Sequence, residues 1–356
     1  MKQNLYIFSD TLIRRKDSTI WCEKIIKECT EYEDELNIRK EYLLGEDILL
    51  PAGEKKCIPV ENVESVMAFG TIHFNSRFLH FLSQNQIPMH IFSTYGNYGG
   101  SFIPAEINNS GSVLLNQVAF HNHPLKRLQI AKLIIDAAMC NTIANLNYHF
   151  RRGAQVKDQI DHIAELKEYI SEADSIEELM GIEGTAKKVY FSGWRHLFAS
   201  PVDFTSRIKR PPNNLINALI SYGNAIVYSV CLNEIYHTRL YPEIGFIHQP
   251  GEGKMSLSYD LADIFKPLIT DRAIFKLINK NVIAEQDAII KNRKCILKKK
   301  AKQAFVQEMD NKLMTKIQLT GKQVRYTYRR IIREECYKLL KHLNGEEQYK
   351  PYITKW

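Results

Sequence analysis

The sequence predicts an α+β protein of two domains, the first rich in strands and the second helical. Three observations carry that prediction. Short apolar runs bounded by glycine, proline or polar turn residues fill the first hundred positions. The polar stretch Asn108-Asn109-Ser110-Gly111-Ser112 then interrupts the chain, and beyond it apolar residues recur at helical spacing. A length of 356 residues suits about two domains. The expected division is residues 1–107, a linker over 108–114, and residues 115–356.

In the first domain, Leu5-Tyr6-Ile7-Phe8 reads as a strand stopped by Ser9-Asp10. Cys57-Ile58-Pro59-Val60 and Val66-Met67-Ala68-Phe69 are strands bounded by Gly53 and Gly70. Met89-His90-Ile91-Phe92 leads into the hairpin-like Tyr95-Gly96-Asn97-Tyr98-Gly99-Gly100. Phe78, Leu79 and Leu82 mark one short helix from Asn75 to Ser83, and the charged residues 21–49 read as an excursion from the sheet. In the second domain, Leu125, Leu128, Ala131, Ile135, Ala138 and Met139 trace a helix face behind Pro124, a residue suited to a first turn. Further helices are expected over 155–173, 175–194, 213–236, 260–279 and much of 300–343. Ser175 with Glu178 forms a capping-box pattern, and Asn213 or Asn214 suits an N-cap.

Composition narrows the function classes. The first residues lack the apolar stretch and cleavage site of a signal peptide, and no apolar run approaches the roughly 20 residues of a membrane span, so a cytoplasmic protein is expected. The seven cysteines are scattered and form no CxxC pair, which argues against a disulfide framework and a zinc ribbon. A net charge of +8 is moderate for the length, but its distribution is uneven. Basic clusters occur at Lys187–His196, at Arg207-Ile208-Lys209-Arg210, over Lys291–Lys302 and over Arg325–Arg333. One such run is usually a solvated helix face; four in the second half favour a phosphate backbone as partner.

The chemistry-bearing segment is GFIHQPGEGKMSLSYDLADIFKP, Gly245 to Pro267. His248 lies on its turn-rich part, and Asp260 and Asp263 share one helix face by their three-residue spacing. An imidazole with carboxylates suits Mg²⁺ or Mn²⁺ better than a thiolate-type zinc site. Glu183, between the glycines of GIEG, is a third acidic candidate. A capping Asp260, a solvated Asp263 and a hydrogen-bonded loop His248 would give the same pattern. Two glycines inside a helix cost about 1 kcal/mol each, which implies a close approach by a neighbouring helix or by DNA and metal. Lys187 and Tyr190 fall on the face of Glu183, where they suit either phosphate binding or an ordinary ion pair and a core tyrosine.

GIEG with a following YF, then KRPPNN, NALISYG, GFIH and SLSYDLADIFKP, resemble in order the CRISPR-associated integrase, the universal spacer-acquisition family. Tyr6-Ile7-Phe8-Ser9-Asp10, the IPVE element at Ile58 to Glu61, and the glycine-rich segment at 95–100 extend the resemblance over nearly the whole chain. The resemblance implies an N-terminal β-sandwich-like domain used for homodimerisation and a C-terminal all-α catalytic domain. It implies that Glu183, His248 and Asp263 ligate the metal, with Asp260 beside them as a fourth catalytic residue. It also implies double-stranded and branched DNA as substrates, and a small ferredoxin-like CRISPR-associated partner bridging two dimers. Asn213-Asn214, Lys254 and the insertion at 21–49 depart from the family pattern.

The resulting expectation is a metal-dependent DNA integrase and endonuclease, in which Lys187, Arg207, Lys209 and Arg210 hold phosphates. A non-catalytic DNA-bridging scaffold, and a stand-alone nuclease for repair of branched DNA, are the alternatives.

Overall fold

The computed structural model describes residues 2–25, 55–93, 98–104, 110–319 and 323–355. The chain divides into two compact units, Met1–Glu106 and Ile107–Trp356.

The described residues of the first unit form two four-stranded sheets. One takes β1 (Gln3–Ile7), β5 (Val63–Ala68), β7 (Met89–Phe92) and β8 (Tyr98–Phe102) in that order, parallel until the antiparallel β7/β8 pair. The other runs β4 (Lys55–Pro59), β3 (Thr19–Lys24), β2 (Thr11–Lys16) and β6 (Ile72–His73). Helix α1 (Ser76–Gln84) is capped by Asn75, whose Oδ1 accepts from the Phe78 amide at 3.0 Å. Ile7, Val66 and Met89 from one sheet, Ile13 and Ile20 from the other, and Phe78, Phe81 and Leu82 from α1 form a single core. The β2/β3 hairpin corrects the expectation of an excursion beginning at residue 21, because Trp21–Lys24 complete β3. The two-residue turn at Asp17-Ser18 places Asp17 at φ 53°, and the alternation that buries Ile13 and Ile20 makes the hairpin. The rest of that segment, 26–49, lies outside the described residues, as do 95–97 of the glycine-rich turn and 108–109 of the expected linker. Residues 111–114, also expected in the linker, instead open α2 (Gly111–Asn122).

The second unit is built on helices. After α2 come α3 (Pro124–Phe150), α4 (Lys157–Glu168), α5 (Ile176–Gly193), α6 (Leu215–Tyr236), α7 (Ser256–Phe265) and α8 (Thr270–Asn279). The single helix expected over 260–279 is two, because Pro267 cannot continue α7. Helix α6 is long and apolar enough to cross a membrane, contrary to the reading that no run approaches that length, but it is 78% buried and serves as the core helix. α7, α8 and α10 (Tyr328–Leu343) pack around it.

The unit is not purely helical. β9 (Ala288–Lys291) and β10 (Lys294–Leu297) form an antiparallel hairpin, with Asn292 and Arg293 at positive φ in its two-residue turn. β11 (Lys316–Gln318) pairs with β12 (Arg325–Thr327) after α9 (Lys299–Leu313). The basic run Lys291–Lys302 is therefore a hairpin tip followed by a helix start. In the Arg325–Arg333 run, Arg329 is buried and Arg333 Nε meets Glu234 Oε2 at 2.5 Å.

A segment near residue 350 braces the helix that carries the aspartates. Asn141 of α3 is fully buried; its Nδ2 donates to the carbonyls of Ile264 at 2.9 Å and Tyr352 at 3.1 Å, and its Oδ1 accepts from the Thr354 amide at 2.8 Å. The Tyr352 and Phe265 rings stack with centroids 6.0 Å apart.

At the end of α3, His149 packs edge-on against Phe275 at 4.9 Å. Burial, then the charges of Arg272 and Arg152, push its imidazole down to about 4. Between pH 6.5 and 4 the unfolded chain therefore binds a proton that the folded chain refuses, so this contribution to stability is complete above 6.5 and is lost as the pH falls. Thermal melts of wild type and His149→Phe should show a shallower decline for the variant across that window; parallel declines would contradict the assignment.

Candidate functional site

Glu183 sits in the middle of α5. Ser175 caps that helix, accepting from the Glu178 amide at 3.1 Å, while the Glu178 carboxylate turns back to the Asp174 amide at 2.9 Å. One turn after Glu183, the Lys187 ammonium forms an ion pair with it and lies 3.5 Å from Asp263 Oδ1. Asp263 is 3% exposed on α7, and Lys266, three residues on, pairs with the same carboxylate oxygen. Two carboxylates and two ammonium groups thus form one cluster between α5 and α7. Burial alone would raise Asp263, but Lys187, Lys266 and then His248 hold its carboxyl well below the usual range. In Lys187 burial works against the charge, and Asp263 and Glu183 more than offset it. Lys266 also lies 4.5 Å over the Tyr228 ring.

His248 reaches the cluster from the loop before α7. Its Nδ1 lies 2.7 Å from Asp260 Oδ1. Asp260 is fully buried, and both its oxygens are engaged: Oδ2 accepts from the amides of Phe246 at 2.5 Å and Ile247 at 3.0 Å, and Oδ1 from the His248 amide at 3.0 Å. With Nδ1 held by Asp260, Nε2 is the nitrogen left to face a ligand. Burial lowers the imidazole, but the bond to Asp260, its charge and that of Asp263 raise it above the ordinary histidine value. Asp260 therefore acts on His248 and on the loop backbone.

Side chains far away in sequence pin this loop. Gln117 of α2 donates to the carbonyls of Tyr241 at 2.8 Å and Ile244 at 2.7 Å and accepts from the Tyr241 amide at 3.0 Å. Arg127 of α3 donates to the Phe246 carbonyl at 2.8 Å, and His121 Nδ1 lies 2.6 Å from the Gly245 carbonyl. Sequence reading missed these three, and a separation of about 120 residues left no pattern by which to find them. It also missed Lys266, although its i+3 relation to Asp263 was a usable signal.

The other expected residues divide. Lys209 and Arg210 are exposed on the loop before α6. Partial burial of its amine, then the charges of Lys187 and Lys266, push Lys209 below its ordinary value. Arg207 does not match its expected role as a phosphate clamp. Its guanidinium is turned inward, donating to Asn217 Oδ1 at 3.0 Å, Ser221 Oγ at 2.8 Å and the Ile208 carbonyl at 2.6 Å. Asn214 is the N-cap of α6, accepting from the Asn217 amide at 2.9 Å. Tyr190 is a core residue away from Glu183: its hydroxyl donates to Asp271 at 2.9 Å and accepts from Asn145 at 2.9 Å. Burial raises the Asp271 carboxyl to about 7 despite that bond.

Among the described residues, the two glycines of GIEG meet no neighbouring helix. A methyl built at Gly181 or Gly184 would touch nothing within 4 Å among the described residues, which leave this stretch of α5 open on its glycine side. Among the described residues, no three His, Cys, Asp or Glu side chains close on one point in this arrangement. The point between Glu183 and Asp263 is taken by the Lys187 ammonium.

Residues 29–311 match the family described as CRISPR associated protein Cas1. The chain belongs to that family. A relative from Fusobacterium nucleatum, a CRISPR-associated endonuclease Cas1, is 36% identical over all of this chain and 98% of its own length. A solved Cas1 protein from Thermotoga maritima superposes with a TM-score of 0.80 at 32% identity, covering 99% of this chain and all of that one. A casposase solved bound to its integration product shares the fold, with a TM-score of 0.82 at 20% identity, over 99% of this chain and 93% of that one.

In this Cas1-family chain the glycine of the GFIH element has a steric reason. A methyl at Gly245 would lie 2.7 Å from Asp260 Oδ2 and 2.9 Å from the Ser256 backbone. Gly245→Ala must therefore displace either the carboxylate that holds His248 or the first turn of α7. It should cost about 1–3 kcal/mol in denaturant unfolding, as overpacking does, and should move the His248 imidazole titration seen by NMR. An unchanged titration would show that the loop absorbs the methyl elsewhere.

Proposed function

We propose that this chain is a divalent-metal-dependent DNA integrase and endonuclease that inserts foreign DNA fragments into a CRISPR array by 3′-hydroxyl attack on a phosphodiester. One observation carries the reading. Glu183 and Asp263, from different helices, share one cation, Lys187, while Asp260 orients an imidazole toward the same cluster. Oxygen-rich donors with one imidazole suit Mg²⁺ or Mn²⁺, and the position already holds positive charge. Glu183, His248 and Asp263 would hold the ion. Bound there, it would polarise the scissile phosphodiester and lower the pKa of the attacking hydroxyl, or of water where the outcome is cleavage.

The protein's own part is to build the place and deliver the strand. Asp260 fixes the ring orientation of His248 as a positioning residue. With the ion bound, Lys187 would give up Glu183 and Asp263 and be available to a phosphate oxygen. Lys209 and Arg210 hold the approaching backbone without reading its sequence. The glycine side of α5 leaves room for that backbone. Homodimerisation through the strand-rich unit and bridging of two dimers by a small ferredoxin-like partner belong to the same proposal, as does action on branched DNA.

In joining assays with a labelled 3′-hydroxyl duplex, Glu183→Ala, His248→Ala and Asp263→Ala should each lose on the order of 100-fold or more, and EDTA should abolish joining while leaving DNA bound. Full joining in EDTA would reject the reading in favour of a different chemistry; absence of joining with metal, together with normal bridging, would favour the scaffold reading. Lys187→Ala should bind Mn²⁺ more tightly in paramagnetic-resonance titrations yet join strands more slowly. Weaker Mn²⁺ binding by that variant would mean that Lys187 does not compete with the ion.

A further inference from the structure

Glu183 and Asp263 come from α5 and α7, and both helices pack on α3. The distance between the two carboxylates therefore depends on how α3 and its neighbours hold these helices in register. Two asparagines of α3, Asn141 and Asn145, lie one turn apart and are fully buried. Asn141 donates to the Ile264 carbonyl at the end of α7 at 2.9 Å. Asn145 reaches the other helix, where its Nδ2 donates to the Tyr190 hydroxyl at 2.9 Å. Tyr190 stands two turns beyond Glu183 on α5 and is itself buried.

The Tyr190 hydroxyl passes the link on. It donates to Asp271 Oδ2 at 2.9 Å, and Asp271 is buried in the first turn of α8. The path from Asp271 back to Asp263 is stiff. The amides of Leu268 and Ile269 both donate to the Phe265 carbonyl at 3.0 Å, and the Asp271 amide donates to the Lys266 carbonyl at 3.1 Å. The polar chain Asn145–Tyr190–Asp271 thus ties the helix of Glu183 to the end of the helix that carries Asp263. Aromatic packing between the same elements does a different job. Trp194, just past α5, meets Phe275 of α8 with ring centroids 4.6 Å apart. That contact supplies attraction over a range of offsets, whereas a buried hydroxyl between one donor and one acceptor has a narrow set of satisfactory positions. A phenylalanine at 190 would bury the same ring, so cohesion alone does not call for the hydroxyl.

We propose that Tyr190 and Asp271 are positioning residues of the metal centre: the bond between them sets the distance from Glu183 to Asp263. The inference rests on the reading of Glu183, His248 and Asp263 as metal ligands and adds two residues that act through the helices rather than on the ion. His248 is outside their reach, because Asp260 holds it independently. The effect of breaking the bond is therefore confined to the carboxylate side of the site.

The test measures Mn²⁺ affinity of the full chain by paramagnetic-resonance titration. Tyr190→Phe should weaken Mn²⁺ by about tenfold, as loss of an outer partner of a metal site does. Where Glu183→Ala has already removed the ligand being positioned, the same change should cost less than about twofold. In a His248→Ala background it should cost the full factor again, because the imidazole is held separately. Equal losses in every background would mark a general loosening of the helical unit and overturn the proposal, as would an unchanged affinity in Tyr190→Phe. Asp271→Asn keeps an acceptor for the hydroxyl and should stay within about threefold of wild type; a loss as large as that of Tyr190→Phe would place the effect in the charge of Asp271 and overturn the proposal too. Asn145→Leu, which cuts the chain at α3, gives the same cycle if Tyr190→Phe does not fold. If Glu183→Ala itself leaves Mn²⁺ binding unchanged, the metal reading falls and this inference with it; if Glu183→Ala weakens binding and Tyr190→Phe does not, only this inference falls.

Discussion

The buried Asp260 carboxylate is the constraint on which the rest of this structure depends. Removing a carboxylate from water costs several kcal/mol, and the cost is met only where both oxygens are fully engaged. Here three backbone amides and one imidazole supply four partners, each such bond being worth about 1.5–3 kcal/mol when one partner is charged. Those partners belong to a loop with no regular structure of its own. One side chain thus sets the path of residues 246–248 and the orientation of His248 together. Gln117, His121 and Arg127 then hold the same loop from its other side, through its carbonyls. A turn that would otherwise wander is fixed by donors on one side and acceptors on the other.

The neighbouring charge cluster follows from the same economy of desolvation. Glu183 and Asp263 come from different helices, and like charges this close to one another need a cation between them. Lys187 supplies it in the arrangement described here, and Lys266 secures Asp263 from its own helix. The lysines hold Asp263 ionised, and Asp263 in turn holds them protonated. That reciprocity keeps the carboxylates assembled and in the charge state that a cation requires.

Much of this was readable from residue types and spacing, and the failures have physical causes. Asp260 and Asp263 were placed on one helix by their spacing, and Glu183 on another by its capped, glycine-bearing run. What spacing could not tell is that the two aspartates have different jobs, since that depends on which backbone amides point at each. Arg207, two residues before KRPPNN, looked like a phosphate ligand because charge in a loop reads as exposure; only the fold reveals Asn217 and Ser221 waiting for it. The basic run at 291–302 was read only as one of four clusters favouring a phosphate partner, because lysine fits any backbone state, whereas Asn292 and Arg293 turn the chain with positive φ. In the strand-rich unit the β2/β3 hairpin was hidden by arginines and lysines on its outward positions, with only Ile13 and Ile20 marking the inward face. The contacts of Gln117 and Arg127 had no local signature at all.

Asn141 adds an order of events. It connects the carbonyl of Ile264, next to Asp263, with the backbone of residues 352 and 354. During synthesis the helix bearing the aspartates leaves the ribosome long before those later residues exist, and until they arrive Asn141 lacks two of its three partners. The helix is therefore laid down early but locked late. The bonds of Asn141 to residues 352 and 354 are thus the last part of its brace on α7 to become possible as the chain is made.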